Sequence, residues 1–104
     1  MANYLLAYTG GTEPQSEEEG KAVMDAWVAW FTSLGAAVVD PGNPTGPAAT
    51  VASDGSVAEG GTSGISGYSV VSADSLEAAT AIAQGCPHLA AAGAIEVYET
   101  FDVM

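Results

Sequence analysis

The sequence predicts an α+β protein with a ferredoxin-like βαββαβ sandwich and one extra hairpin. Three observations predict it. Two helical patterns each follow an apolar strand pattern, each helical pattern is followed by a further strand pattern, and a strong turn signal between two short runs lies near the middle. With 104 residues, the chain is long enough for one core, and we expect a single domain over residues 1–104.

The first strand and the first helix are predicted from the first third of the chain. Residues 4–8 are apolar at consecutive positions, which is typical of a strand covered on both faces. Ser16 and Glu19 have the spacing of a capping box that opens a helix. An apolar stripe then continues to a glycine that can end the helix; it consists of Val23, Trp27, Trp30, Phe31, Leu34 and finally Gly35.

The middle of the chain is predicted to hold a short strand, a loop and a hairpin. Residues 36–40 form a short apolar run, and residues 41–47 contain three prolines and two glycines, which exclude regular structure. Asp54-Gly55 lies between residues 50–53 and 56–58 and is typical of a type I′ hairpin turn. Residues 60–64 are a glycine-rich connector.

The last third predicts a strand, a helix and a final strand. Residues 65–72 fit a strand with Tyr68 and Val70 on one face. Asp74 and Glu77 have capping-box spacing before a helix that ends near Gly85. Cys86-Pro87-His88-Leu89 fits a turn, residues 90–93 fit a short helical turn or a loop, and residues 94–100 fit the last strand.

One face of the predicted sheet has nothing to cover it. Both helices pack on one face of a ferredoxin-like sheet, yet the strands carry apolar side chains on both sides, and no further residues are available. We therefore expect a homodimer in which two sheets meet as a dimeric α+β barrel.

The charge balance excludes several classes of partner. The chain has one lysine and thirteen carboxylates, for a formal charge of −12. We expect no binding to nucleic acid or to an anionic membrane, because both need clustered cationic side chains. The lone Cys86 predicts a reducing, cytoplasmic location, and the N-terminal residues fit neither a signal peptide nor a membrane span.

Several segments in a fixed order resemble the YCII-related family, also called the DGPF domain family. They are Asn43-Pro44, Asp54-Gly55, Ser66-Gly67-Tyr68-Ser69-Val70-Val71, Ala73-Asp74-Ser75-Leu76-Glu77-Ala78-Ala79, Cys86-Pro87-His88-Leu89 and Ile95-Glu96-Val97. The resemblance covers nearly the whole chain and implies a ferredoxin-like subunit that pairs into a dimeric barrel. This chain lacks the Asp-Gly-Pro-Phe motif of one branch. It also lacks the early helix histidine that another branch is thought to pair with an aspartate in acid/base chemistry.

His88 is the first candidate for chemistry, because it is the only imidazole in the chain and imidazole is the side-chain group most suited to proton transfer near neutral pH. It could act as a general base oriented by a carboxylate such as Asp40 or Glu96, which makes these three the candidate catalytic residues. The alternative is a turn residue that bonds local backbone or caps the preceding helix. Cys86 could be a nucleophile beside His88, but a small buried side chain is the simpler interpretation.

Aromatic residues are the candidates for ligand binding. Four of them could line a cavity for a small flat or apolar ligand, namely Tyr8, Trp27, Tyr68 and Tyr98. Ordinary core and interface packing is the alternative for the same residues. One histidine and one cysteine do not make a zinc site, so we predict no metal and no cofactor.

Three functions remain open from the sequence. The first is a homodimer with a small-molecule pocket and no demonstrated catalysis. The second is an acid/base enzyme acting on a small organic substrate. The third is a structural or regulatory interaction module, which would leave an exposed apolar patch after dimerisation.

Overall fold

The computed structural model describes residues 1–103 and contains six strands and two α-helices within them. In chain order these are β1 (Ala2–Gly10), α1 (Glu17–Leu34), β2 (Val38–Asp40), β3 (Ala49–Val51), β4 (Val57–Glu59), β5 (Ile65–Ala73), α2 (Leu76–Gln84) and β6 (Gly93–Glu99). Two short 3₁₀ helices, Gly35–Ala37 and Pro87–Ala91, follow the α-helices.

The main sheet has four strands in the order β2-β5-β1-β6, and every neighbouring pair is antiparallel. This is the strand order of the ferredoxin-like fold, so the predicted α+β class is confirmed. Strands β3 and β4 pair only with each other and form the predicted extra hairpin.

The hairpin turn differs from the predicted type I′ turn. A type I′ turn needs positive φ at both central residues. Here Gly55 has a φ of 88°, whereas Asp54 is not among the residues with positive φ. The Ala52 N–H donates to the Ser56 carbonyl at 2.8 Å, so three residues form the loop. The Asp54 carboxylate accepts a hydrogen bond from the Ser56 N–H at 2.9 Å and stabilises this longer turn.

The first helix is as predicted, and the second begins with a different cap. The Ser16 side chain accepts from the Glu19 N–H at 3.1 Å, and α1 runs over the predicted residues. In α2 the cap is Ser75, which accepts from the Ala78 N–H at 3.1 Å. Asp74 was the wrong choice because the helix begins one residue later than the Asp74 spacing requires.

The second strand is also shorter than predicted. Residues 35–37 tighten into a 3₁₀ turn, so β2 begins at Val38 rather than at Ala36. In contrast, β1 extends to Gly10, which pairs with Gly93 of β6. The short β2 leaves room on its side of the sheet for residues 41–44, where Pro44 makes an isolated bridge to Gly67.

The two faces of the main sheet are packed differently. The side chains of Tyr4, Leu6 and Val71 are almost completely buried, in one cluster with α-helical residues such as Trp30 and Ala79. Residues directly paired across antiparallel strands share a face. Leu5, Ala7 and the residues paired with them in β5 and β6 therefore lie on the other face of the sheet, which we call the open face. Its residues are Leu5, Ala7, Tyr68, Val70, Glu96 and Tyr98.

The molecule is flat as a result. Its Cα atoms span 43 × 38 × 18 Å, and the smallest dimension corresponds to one helix layer on one sheet. Among the described residues, no helix is both long enough and apolar enough to cross a lipid bilayer.

Candidate functional site

A cleft of about 380 Å³ opens between α1 and the segments 41–44 and 66–69. We call it the main cleft. Helix α1 forms one wall with apolar side chains, the proline-rich loop and the start of β5 form the other, and β1 contributes its floor. The lining residues include Gly20, Val23, Met24, Trp27, Phe31, Pro41, Asn43, Ser66, Tyr68, Tyr8 and His88.

The floor of the main cleft is held by a chain of buried hydrogen bonds. The Tyr8 hydroxyl donates to Ser69 Oγ at 2.8 Å, and the Ser69 hydroxyl donates to the Pro41 carbonyl at 2.7 Å. Ser69 is completely buried, so these bonds fix the proline-rich loop against the sheet. Burial raises the pKa of Tyr8 well above its usual value of 10, so this phenol stays protonated as a donor.

Aromatic rings build the helix wall. Trp27 meets Tyr8 edge to face, with ring centroids 5.2 Å apart and planes at 78°. Phe31 lies one turn further along α1, with its centroid 5.7 Å from that of Trp27. The i, i+4 spacing places both rings on the same face of the helix, so the apolar stripe serves the core and the cleft together.

His88 sits at the end of this aromatic wall in a fixed orientation. Its Nε2 lies 2.8 Å from the Thr9 carbonyl oxygen, and its ring centroid lies 5.3 Å from that of Tyr8. A carbonyl only accepts, so Nε2 carries the proton and donates. The neutral ring therefore keeps the lone pair of Nδ1 for another partner.

Two glycines make the space that the imidazole occupies. A Cβ atom at Gly93 would collide with Nε2 of His88, and one at Gly11 would lie 2.8 Å from Cε1. Gly11 also has a φ of 94°, a backbone conformation that residues other than glycine rarely adopt. We call this space the imidazole slot. The sequence did not reveal the role of either glycine, because Gly11 lies between two predicted elements and residues 90–93 fit either a short helical turn or a loop.

His88 also borders a second cleft on its other side. This cleft measures about 480 Å³ and is more open, with alanines and prolines along its walls and Glu13 and Glu19 at its rim. Glu19 already accepts a hydrogen bond from the Gln15 N–H. The imidazole thus forms part of the wall between two depressions of the surface.

The two predicted carboxylate partners of His88 do not contact it. Glu96 pairs with Ala7, which places it on the open face, and Asp40 lies after a register shift at the end of the edge strand β2. Asp40 Oδ1 accepts from the Gly42 N–H at 2.8 Å, and Glu96 Oε1 accepts from the Tyr98 hydroxyl at 2.9 Å. His88 instead packs beside Tyr8, whose side chain belongs to the helix-covered face.

Tyr8 and Trp27 pack together on the helix-covered face, and Tyr68 borders the same cleft from β5 although its pairing with Ala7 puts its side chain on the open face. Tyr8, Trp27 and Tyr68 line the main cleft along with His88. Tyr98 is 51% exposed and lies on the open face beside Glu96. The hydrogen bond to the Glu96 carboxylate raises the pKa of Tyr98, because the neutral phenol is the donor.

Cys86 and a metal site are the two candidates from the sequence that remain. Cys86 is buried next to Tyr8, and burial raises the pKa of its thiol, which opposes thiolate formation at neutral pH. Within residues 1–103, histidine, cysteine, aspartate and glutamate side chains form no group of three that could hold a metal ion.

The proline-rich loop supplies cleft residues that sequence reasoning treated only as a connection. Gly42 has a φ of 73°, and a Cβ there would strike the Tyr68 carbonyl, so the loop can approach β5 only because this residue is glycine. The Tyr68 N–H donates to the Asn43 carbonyl at 3.3 Å and holds the loop in place. A glycine between two prolines was the available signal for such a close approach.

Comparison with known proteins identifies a family. A family model described as the YCII-related domain matches residues 4–103, which is nearly the whole chain. No curated protein and no solved structure matches the chain.

Proposed function

The chain belongs to the YCII-related domain family, and from this membership and the site geometry we propose that it binds a small, mainly apolar molecule in the main cleft and acts as a homodimer. The observation that carries the proposal is the meeting of an aromatic wall and one oriented imidazole in a single cleft. Small-molecule sites in proteins commonly combine an apolar lining with a few fixed polar groups.

The charges around the main cleft favour an uncharged or cationic ligand. The chain carries a formal charge of −12, and its one lysine, Lys21, is exposed and paired with Asp25 at 3.1 Å. An anion entering the cleft would meet no cationic side chain and an unfavourable overall field. The volume of about 380 Å³ lies at the small end of the range of ligand sites, which is about 300–1,000 Å³.

The orientation of His88 favours a ligand that donates a hydrogen bond. Because Nε2–H is committed to Thr9, the neutral ring can only accept through Nδ1. A hydroxyl or amine group on an otherwise apolar ring would satisfy both His88 and the aromatic wall. The same lone pair supports a second candidate function, in which His88 removes a proton from a bound substrate as a general base.

In that second candidate function, His88 is the general base and, within residues 1–103, has no carboxylate partner to orient it. Asp40 and Glu96 are the carboxylates that the sequence suggests as its orienting partners, but they accept hydrogen bonds from the Gly42 N–H and the Tyr98 hydroxyl. The Thr9 carbonyl takes over the orienting role for the ring.

The exposed area supports the homodimer. The chain exposes 7071 Å² to solvent, whereas a compact monomer of this mass exposes about 5,400 Å². Its Cα radius of gyration is 15.2 Å, compared with about 13 Å for a compact domain of this length. The excess area of about 1,700 Å² is ample for a stable dimer, which hides about 800 Å² on each partner.

A matched pair of probes tests the cleft. We would titrate the protein with 1-naphthol and with 1-methoxynaphthalene, which differ in the ability to donate a hydrogen bond, and follow ligand fluorescence. We expect saturable binding of one naphthol per chain, about fivefold tighter than its methyl ether. In His88→Ala the two probes should bind equally, because the acceptor is gone.

A second variant separates the main cleft from other apolar surfaces. Gly20 lines the cleft, and the nearest atom to a Cβ there is the Pro14 Cβ at 3.9 Å, so Gly20→Leu adds a side chain without a clash. Ala29→Leu adds the same atoms to the same helix at an exposed position outside the cleft. Loss of naphthol binding in Gly20→Leu alone supports the proposal. Absence of saturable binding, or equal affinities in both variants, would contradict it.

A further inference from the structure

Three hydroxyl groups that border the main cleft donate their hydrogen bonds to other parts of the protein. The Tyr8 hydroxyl donates to Ser69 Oγ at 2.8 Å, and the Ser69 hydroxyl donates to the Pro41 carbonyl at 2.7 Å. The Ser66 hydroxyl donates to the Tyr8 carbonyl at 3.3 Å. Because each hydroxyl has a single proton, these groups fix the floor of the cleft and have no donor left for a ligand.

The indole of Trp27 differs from them, because its N–H has no acceptor within residues 1–103. Every buried side-chain nitrogen and oxygen in that range has a hydrogen-bond partner, and Trp27 is half-buried. Its indole nitrogen is therefore in contact with solvent rather than enclosed in the core. Trp27 borders the main cleft and the second cleft, so its N–H is available to a bound molecule.

His88 supplies a hydrogen-bond acceptor beside this donor. Its Nε2 donates to the Thr9 carbonyl at 2.8 Å, so Nδ1 is the acceptor, and no donor in the described part of the chain reaches it. The indole of Trp27 and the imidazole of His88 both lie against the ring of Tyr8, with centroids 5.2 and 5.3 Å from its centroid. One donor and one acceptor therefore flank the same phenol ring, and packing holds both of their rings in place.

Two further polar side chains border the main cleft, and neither is fixed in this way. Asn43 is exposed on the proline-rich loop, and its backbone carbonyl, not its carboxamide, accepts from the Tyr68 N–H. The side chain of Tyr68 belongs to the open face of the sheet. A side chain that has to be ordered on binding contributes less affinity than one already held in place. Trp27 and His88 are therefore the groups that select the polar end of a ligand.

A neutral carboxamide or lactam matches this pair of groups. Its carbonyl oxygen accepts from an N–H donor, and its own N–H donates to a nitrogen lone pair. A carboxylate has acceptors only, and its charge would meet a chain of formal charge −12 whose one lysine lies outside the cleft lining. A single hydroxyl has to serve both groups from one oxygen, whereas a carboxamide presents its donor and its acceptor on separate atoms.

We propose that Trp27 is a specificity-determining residue of the main cleft and that the ligand is an apolar ring with a neutral carboxamide or lactam group. The carbonyl oxygen of this group accepts from Trp27 Nε1–H, and its N–H donates to His88 Nδ1. The apolar ring lies along the aromatic wall of α1. This inference rests on the proposed ligand site in the main cleft and specifies the polar end of that ligand.

Three probes of the same shape separate the two hydrogen bonds. The first, 1-naphthamide, has a carbonyl and an amino group. In 1-acetonaphthone a methyl group replaces the amino group, and in 1-isopropenylnaphthalene a methylene group also replaces the carbonyl oxygen. We would measure the dissociation constants by isothermal titration calorimetry. For the wild-type protein we expect each step to weaken binding about fivefold, which is the effect of one neutral hydrogen bond.

Two matched tryptophan variants of α1 test the donor. Trp27→Phe keeps an aromatic ring and removes the N–H, and Trp30→Phe makes the same change at a residue that is 8% exposed and borders neither cleft. The ratio of the isopropenylnaphthalene and acetonaphthone constants is insensitive to a general loss of packing. We expect this ratio to fall to about 1 in Trp27→Phe and to stay at about 5 in Trp30→Phe. His88→Ala should instead remove the preference for naphthamide over acetonaphthone.

The wild-type protein provides a measurement that does not depend on a folded variant. A ¹⁵N-¹H correlation spectrum shows the indole N–H of each tryptophan, and the chain has two. Acetonaphthone and isopropenylnaphthalene contain the same rings, so their ring currents should move the Trp27 signal alike. We expect acetonaphthone to move it further downfield, because a hydrogen bond to the carbonyl deshields the indole proton. The Trp30 signal should respond equally to both probes.

The outcomes separate this contact from the ligand site itself. A preference for acetonaphthone over isopropenylnaphthalene that disappears in Trp27→Phe, with the downfield shift in the wild-type protein, supports the proposal. Equal affinities of these two probes for the wild-type protein, or a preference that persists in Trp27→Phe, overturn it. Binding of 1-naphthol in the main cleft would then leave the proposed function standing. Absence of saturable binding of every probe, including 1-naphthol, overturns both.

Discussion

The helix-covered face and the open face of the main sheet consist of alternate residues of the same strands, but the two α-helices cover only the first. Neighbours in β1 illustrate the contrast, because Leu6 is fully buried under the helices while Leu5 lies on the open face, paired with Val70 and Tyr98. The helix-covered face also contains the main cleft and His88. The chain therefore completes its core on the helix-covered side and leaves Leu5 and Val70 only half-buried on the open face.

The largest expected effect compares two adjacent leucines. Leu6→Ala removes a fully buried side chain and should lower the free energy of unfolding by about 3 kcal/mol. Leu5→Ala should cost about 1 kcal/mol in dilute protein, because its side chain is only half-buried in one copy. Urea unfolding at two protein concentrations measures both. If the two variants lost equal free energy of unfolding at low protein concentration, the distinction between the two faces would be contradicted.

A substitution in the imidazole slot should have an intermediate effect. Gly93→Ala puts a methyl group into the ring of His88 and should cost about 2 kcal/mol of stability together with naphthol affinity. Gly61→Ala is the control, because its Cβ would make an ordinary contact of 3.6 Å with Ala48. In the His88→Ala background, Gly93→Ala should cost much less. Additive losses in that double-mutant cycle would show that the slot does not depend on the imidazole.

The smallest effect concerns the buried phenol on the helix-covered face. Burial raises the folded-state pKa of Tyr8 above the unfolded value of 10, so its contribution to stability is complete below pH 10 and is lost as the pH rises further. Tyr8→Phe should cost about 1 kcal/mol at pH 8 through the lost bond to Ser69. Between pH 10 and pH 11, the Tyr8→Phe variant should also lose less stability than the wild-type protein. Unfolding midpoints that fall equally in both proteins would contradict this assignment.

Local signals in the sequence determined most of the fold. Ser16 and Glu19 gave the start of α1, and Gly35 its end, because capping groups act within one turn. The cap of α2 was misplaced by one residue, since Asp74 and Ser75 are both capable side chains and the choice depends on where α2 meets the sheet. The Asp54-Gly55 signal located the hairpin but not its loop length, which the register of Val51 with Val57 determines.

The site was less predictable than the fold because it depends on contacts between distant segments. Tyr8, Trp27 and Tyr68 could be named as candidates from the sequence because aromatic residues are few, and all three border the main cleft. The partner of His88 was not found, because a backbone carbonyl such as that of Thr9 leaves no mark in the sequence. Gly11 and Gly93 were missed for a similar reason, since a glycine that makes room for a ring looks like any loop glycine until the ring is placed.

Light scattering coupled to size-exclusion chromatography, from about 1 to 100 µM protein, tests most directly whether a second copy completes the open face. The account predicts a mass of about twice the 10.3 kDa of the chain, with Tyr98→Ser shifting the equilibrium toward the single chain. A wild-type mass of one chain throughout this range would contradict it.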